Sequence, residues 1–226
     1  MNSTMQRRSF DSMATTTTAP PPYTVGDDKT DFTVDKKSLD STTPWAANST
    51  LSVKYHDLRA RHGEITDAAT GAPLYKAEHR YRDPTFSLNT PSGNTLATAC
   101  SSTWTMKMAM SIGGQDFELT PRHKFSNDCS FVSPAFGGQT LTWDYRCRWS
   151  KIEYILLDTN SLPIARFSGG SSWKCMPWGS FGDFEFMESR VESEAQRDEI
   201  VATGLTLAYK AYINRRTSAN GVVVVS

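Results

Sequence analysis

Two short basic clusters are the residues best suited to chemistry in this chain. Arg146 and Arg148 are two positions apart, so on an extended strand both point to one face, and Lys151 follows shortly after. Arg122 and Lys124 flank His123 in the second cluster. Such groups suit phosphate: a guanidinium offers a planar fork of donors, and an ammonium a compact charge. Asp144 and Glu153 stand nearby in sequence, so a solvated sheet face of mixed charge is the competing reading.

The remaining reactive residue types do not assemble into a recognisable centre. His56, His62, His79 and His123 sit in no motif, and they read as solvated turn or strand residues. There is no G-x-S-x-G elbow to activate a serine. Neither a P-loop nor a G-x-G-x-x-G segment is present. Gly179-Ser-Phe-Gly182 reads as a turn entering a strand from Asp183 to Met187. Cys100, Cys129, Cys147 and Cys175 are too far apart for a C-x-x-C motif, and no H-x-x-x-H spacing offers a metal site. No catalytic residue, metal or cofactor is therefore expected.

Charge narrows the partners. Lys and Arg total 24 and Asp and Glu total 24, so the net charge is zero, which argues against a general nucleic-acid binder. The first residues hold no apolar run suited to a signal-peptide core. Free thiols in a reducing compartment follow as the expectation, with a cytoplasmic location and at most peripheral contact with membranes.

The elements that must position these residues begin after a tail. Residues 1–48 carry Thr15 to Thr18, then Pro20-Pro21-Pro22, then a charged stretch. They hold few large apolar side chains to offset the entropy of ordering, so disorder is predicted. Within this tail Pro20, Pro21 and Tyr23 satisfy P-P-x-Y, a ligand pattern for WW domains. Consecutive prolines pre-set the extended helix that such domains read, and the tyrosine supplies an anchor.

From Leu51 onward strands dominate. Trp104, Met106, Met108, Met110 and Ile112 alternate with polar or small residues, and so do Leu141, Trp143, Tyr145, Cys147 and Trp149. Gly113-Gly114 and Gly137-Gly138 fall where hairpins need positive φ. A turn unit recurs at Asp67 to Leu74, at Asn89 to Leu96 and, shortened, at Asp158 to Ile164. Its Asx side chain can bond the turn backbone. The pattern predicts an all-β fold with one helix: a closed antiparallel barrel of roughly twelve short strands.

The helix lies at the end. Ser193 and Gln196 have capping-box spacing, and Ile200 to Ile213 are almost all apolar. Polar residues occupy one narrow stripe: Glu199, Thr203, Thr206, Lys210 and Asn214. A surface helix has an apolar stripe only somewhat wider than ~100°, so this one must be enclosed. It is too short for the ~20 residues of a membrane span and contains Lys210, so it is expected to run through the barrel. The expected boundaries are a Pro/Thr-rich tail at 1–48, a barrel domain at 49–217 with its helix near 194–216, and a flexible C-terminal tail at 218–226.

The segments Asp67 to Tyr75, Asn89 to Ala97 and Ile200 to Ile213 together resemble the tubby C-terminal-like superfamily. That superfamily includes tubby proteins, LURP-one-related proteins and phospholipid scramblases. The resemblance covers roughly Leu51 to Arg216. It implies a barrel around a central helix and a non-enzymatic protein that binds anionic, phosphoinositide-like headgroups peripherally. Arg146, Arg148, Lys151, Arg122 and Lys124 are the candidates for that contact. A scramblase-like role is a further alternative, although the chain lacks the cysteine cluster scramblases carry. An adaptor recruited by a WW-domain protein through the tail is the other reading. Under that reading Tyr23→Ala abolishes recovery of the full chain on an immobilised WW domain. Equal recovery of both forms removes the motif from consideration.

Overall fold

The computed structural model describes residues 49–57, 60–80, 83, 85–101, 107–123, 126–148, 151–169 and 179–219, without the side chains of 101, 147, 148, 188 and 216–219. Residues 1–48 and 220–226, and with them most of both expected tails, lie outside this description.

The strands are β1 (Ser49–Tyr55), β2 (His62–Asp67), β3 (Pro73–His79), β4 (Phe86–Asn89), β5 (Thr95–Ser101) and β6 (Met108–Ile112). They continue as β7 (Gln115–Pro121), β8 (Cys129–Ser133), β9 (Gln139–Arg148), β10 (Lys151–Leu157), β11 (Pro163–Gly169) and β12 (Gly179–Phe186). Each pairs antiparallel with the next, and β12 returns to pair with β1, so the sheet closes into a barrel. Closure leaves no free sheet edge, which removes the hazard an open meander carries.

The alternation read from sequence decides which face fills the barrel. In β1 Leu51, Val53 and Tyr55 are buried, while Lys54 faces out. In β9 Leu141 and Trp143 are buried, with Thr142 and Asp144 on the outer face. Turn chemistry fixes the register between strands. At Gly113 and Gly114 φ is +57° and +79°, which lets β6 and β7 join through two residues. In the first recurring unit the Asp67 carboxylate accepts from the backbone N–H of Ala69 and Thr70, at 2.9 and 2.7 Å. In the third, Asp158 does the same for Asn160 and Leu162, both at 2.8 Å.

One expectation needs correction. Gly179 to Gly182 do not form a turn; they are the first half of β12. Glycine is needed at Gly182 because a Cβ there would stand 2.6 Å from the Phe167 ring and from the Ser168 carbonyl. The strand therefore lies against β11 more closely than a side chain allows.

The helix α1 (Glu194–Ala219) runs inside the barrel. Its start is the expected capping box: the Gln196 N–H donates to Ser193 Oγ at 3.2 Å and the Ser193 N–H to Gln196 Oε1 at 3.3 Å. Every residue from Glu199 to Ala208 is buried. Ten consecutive positions span more than two turns, so every face of the helix is covered. The helix is held from opposite walls. Gly204 lies against Phe184 of β12 and Trp143 of β9, and Tyr75 of β3 donates to Asp198 at 2.7 Å. No helix among the described residues is long and apolar enough to cross a membrane.

Gly204 gives this packing a test. A Cβ at that position would stand 2.7 Å from the Phe184 ring and 2.9 Å from the Trp143 ring. On an exposed helix Gly→Ala stabilises by about 1 kcal/mol. Here Gly204→Ala is expected to destabilise by about 1–3 kcal/mol through overpacking, read as a lower midpoint in urea. A gain in stability would mean that the helix is not enclosed at this position.

Candidate functional site

The polar stripe of α1 is where the fold departs most from an oily plug. Glu199 and Thr203 are fully enclosed and Thr206 nearly so. Each has a defined partner, as buried polar groups require. Glu199 accepts from Ser133 Oγ at the end of β8 and from the Ala135 N–H at 3.0 Å. Trp143 Nε1 donates to Thr203 Oγ1 at 3.0 Å, and that hydroxyl donates to the Glu199 carbonyl at 2.7 Å. Thr206 donates to the Ala202 carbonyl at 2.7 Å. Near the other end Arg215 donates to the Tyr145 hydroxyl at 3.2 Å. The bonds with Ser133, Ala135, Trp143 and Tyr145 fix how far the helix is inserted and how it is rotated. The Thr203 and Thr206 bonds to carbonyls one turn back satisfy those hydroxyls within the helix. Burial raises the Glu199 carboxyl above its ordinary pKa, against the lowering effect of its two donors.

A second enclosed polar group corrects the reading of the histidines. His79, at the end of β3, is not solvated but buried. Its Nε2 is hydrogen-bonded to the Tyr55 hydroxyl at 2.6 Å, and its ring stacks on Tyr209 with centroids 3.4 Å apart. Burial lowers its pKa to about 3, so it is neutral at physiological pH. Sequence reasoning missed this cluster because the signal is split between β1, β3 and α1. By contrast, His56, His62 and His123 are exposed as expected.

The outer surface is organised by strand direction. Every neighbour is antiparallel, so all odd-numbered strands end at one rim, called here the upper rim. Arg122 follows β7, Arg148 ends β9 and Lys151 begins β10, which places all three backbones there. Arg148 and Lys151 are opposite each other in the ladder. The loop after β7 is tied to β9 by Asp128, whose carboxylate accepts from the Tyr145 N–H at 2.8 Å. Arg122 and Lys151 are exposed and have no ion-pair partner among the described residues. Lys124 lies outside the described residues, as do Pro20, Pro21 and Tyr23.

Arg146 does not join this group. It stands lower on the wall, mostly buried, with its Nε 3.1 Å from Asp144 and with Glu153 opposite in the ladder. It belongs to a wall of alternating charge. The centre of that wall is Arg166 on β11, 3.6 Å from Glu153 and 2.5 Å from Glu185. The mixed-charge sheet face weighed from sequence is thus realised at Arg146. Arg166 was not singled out because its two acids come from neighbouring strands.

The lower rim is richer in acids, although Asp57 and Asp128 also stand in the upper-rim loops. Asp67, Asp158, Glu192, Glu194 and Asp198 are at the even-strand ends or in the first turns of α1, with Arg190 and Arg197 among them. Arg190 pairs with Asp158 at 2.9 Å. Acids near a helix N-terminus and Arg215 near its C-terminal end both complement the helix dipole.

A polar hollow of about 410 Å³ was also missed from sequence; Lys76, Glu78, Arg80, Ser87, Asn89 and Thr98 help to line it on the outer face of β3 to β5. Its cations are already engaged: Lys76 donates to the Pro91 carbonyl at 2.9 Å, and Arg80 pairs with Glu78 at 2.7 Å. Cys100 and Cys129 are free thiols, while Cys147 and Cys175 lie outside the described side chains. Among the described residues no group of three or more His, Cys, Asp or Glu is placed to hold a metal.

The buried Glu199 gives a pH dependence with a definite sign. Its folded pKa is above its unfolded one, so the folded state binds more protons in the interval between them. Stability from this group is complete below the ordinary glutamate value and is lost as pH rises through the folded value. Glu199→Gln is expected to remove that decline when urea midpoints are compared across pH. Glu199→Ala leaves Ser133 and the Ala135 N–H without their acceptor and is expected to cost about 2 kcal/mol or more. An unchanged pH profile in Glu199→Gln would mean that the carboxylate is solvated.

Family models, curated proteins and solved structures were all compared with this chain, and none of them matches it.

Proposed function

We propose that this protein is a non-catalytic binding module that meets anionic phospholipid headgroups with the upper rim of its barrel. The observation that carries the reading is the shared rim of Arg122, Arg148 and Lys151. These come from separate strands yet finish at one end, with Arg122 and Lys151 exposed and outside the ion pairs of the described residues. The chain has zero net charge, so attraction to an anionic surface has to come from uneven distribution. The acidic lower rim supplies the counterpart, and the resulting dipole orients the barrel as it approaches. The likeness of the hairpins and helix to tubby-like domains favours the same chemistry.

Arg146 is not part of this contact, since Asp144 already pairs with it and Glu153 is its neighbour in the ladder. It serves instead as an internal control. Near an anionic leaflet each Lys or Arg contributes about 1 kcal/mol, so changing two rim cations to acids lowers binding at least tenfold. The measurement is co-sedimentation of the full chain with neutral, phosphatidylserine and phosphoinositide vesicles. Arg122→Glu with Lys151→Glu is expected to abolish the anionic-vesicle fraction, and Arg146→Gln to leave it unchanged. Binding is expected to weaken with salt, because screening acts over a Debye length of about 10 Å at 0.1 M. Absence of binding to both anionic vesicles at low salt refutes the function. Binding that survives the double reversal refutes the site.

A further inference from the structure

The polar hollow on the outer face of β3 to β5 owes its shape to side-chain size. Ser87 is on β4, the middle strand. It faces out of the barrel, since its neighbours Phe86 and Leu88 face the core, yet it is only 6% exposed. In the ladder Ser87 stands between Glu78 of β3 and Thr98 of β5, and Asn89 stands between Lys76 and Thr95. A short side chain ringed by longer ones makes a dip, and this one measures about 410 Å³. Gly93, in the turn after β4, lines one side of it. Lys76 holds that turn in place by donating to the Pro91 carbonyl at 2.9 Å.

Two features decide what the hollow can hold. The first is a pair of unused hydroxyls. Ser87 and Thr98 lie side by side in the ladder and both line the hollow, and neither hydroxyl has a hydrogen-bond partner among the described residues. A polar side chain as buried as Ser87 ordinarily finds a partner in the wall. Its oxygen is not one of the sealed unpartnered atoms of the described residues, so it opens into the hollow. The second feature is that the charges are largely spent. Glu78 pairs with Arg80 at 2.7 Å, and Lys76 has given one N–H to Pro91. Asn89 uses its oxygen to accept from Thr95 at 2.9 Å, which leaves its amide N–H groups. What remains is hydrogen-bonding capacity of both kinds: the second Glu78 oxygen accepts, Lys76 and Asn89 donate, and the two hydroxyls do either. The lining holds no aromatic or large aliphatic side chain.

We infer that this hollow binds an uncharged polyhydroxyl ring, of the kind a pyranose sugar presents. Each sugar hydroxyl both donates and accepts, so one ring can engage the carboxylate, the ammonium and both hydroxyls together. An anion would meet Glu78, and an apolar group would leave Ser87 and Thr98 without partners. The dimensions agree. Neighbouring strands are about 4.8 Å apart, so the row of Glu78, Ser87 and Thr98 spans about 10 Å. That is the width of one sugar ring with a hydrogen bond of about 2.8 Å at each edge. The hollow lies on the outer wall and covers one side of such a ring, so a millimolar dissociation constant is expected. It is on the wall and not at the basic rim, and it stands independently of the lipid reading.

The test follows the backbone amides of the isotopically labelled full chain by NMR while methyl glucoside, methyl galactoside and methyl mannoside are added in turn. Saturable shifts centred on β3 to β5 are expected with at least one of them. Added salt is expected to leave the affinity unchanged, because the ligand carries no charge to screen. Ser87→Ala and Thr98→Val each remove one hydroxyl, and each is expected to weaken binding about fivefold. Neither hydroxyl bonds to the wall, so the urea midpoint is expected to stay the same in both variants, which separates a ligand contact from a structural one. No saturation by ~100 mM of any of the three sugars, far above a millimolar constant, would overturn the proposal. So would wild-type affinity in both variants. Inorganic phosphate that shifts the same amides while no sugar does so would assign the hollow to an anion and overturn it as well.

Discussion

Closing a twelve-stranded sheet leaves a lumen that the inward side chains of the wall cannot fill, and the rest of this structure follows from that constraint. An eight-stranded barrel is about the size that side chains alone can pack, and the diameter grows with strand number. Here α1 fills the difference. A helix surrounded by wall on all sides has no solvent face, which explains why its sequence carries no broad polar face. The close approach of Gly204 to Trp143 and Phe184 shows how little space remains. This also separates the fold from an open-barrel carrier, whose interior must stay available to a ligand.

Filling a barrel with hydrocarbon alone would leave the helix free to slide and rotate. Buried hydrogen bonds between the helix and the wall remove that freedom, because each unmade bond in the interior would cost about 1–3 kcal/mol. Glu199 reaches the end of β8, Thr203 meets the Trp143 indole, and the Tyr154 hydroxyl donates to the Leu207 carbonyl at 3.4 Å. At the upper end His79 and Tyr55 close over Tyr209. Polar groups in this core set position, and the surrounding apolar contacts supply most of the stabilisation.

Because the helix enters from the lower rim, its dipole and the loops share one axis. Acids collect where its N–H groups emerge, and Arg215 lies near its C-terminal end. Among the described residues, topology alone gathers Asp67, Asp158, Glu194 and Asp198 at the lower rim. Basic groups that are distant in sequence, Arg122 and Lys151, share the upper end of the barrel. Arg146, close to Lys151 in sequence, is taken up by the wall pairs instead.

Sequence by itself determined the elements. Period-two alternation gave the faces of β1 and β9, Asx and glycine chemistry gave the hairpins at Asp67, Asp158 and Gly113, and the near-continuous apolar run from Ile200 required an enclosed helix. These signals are local, since backbone sterics and side-chain periodicity act over a few residues. What tertiary structure decided was every property that depends on neighbours from distant strands. It made Gly182 a close-packing residue rather than a turn and buried His79 against Tyr55. It paired Arg146 and Arg166 with acids, and it set Ser87 and Thr98 side by side. The physical reason is the register of a closed barrel: which side chains meet across strands is fixed only when the last strand returns to the first.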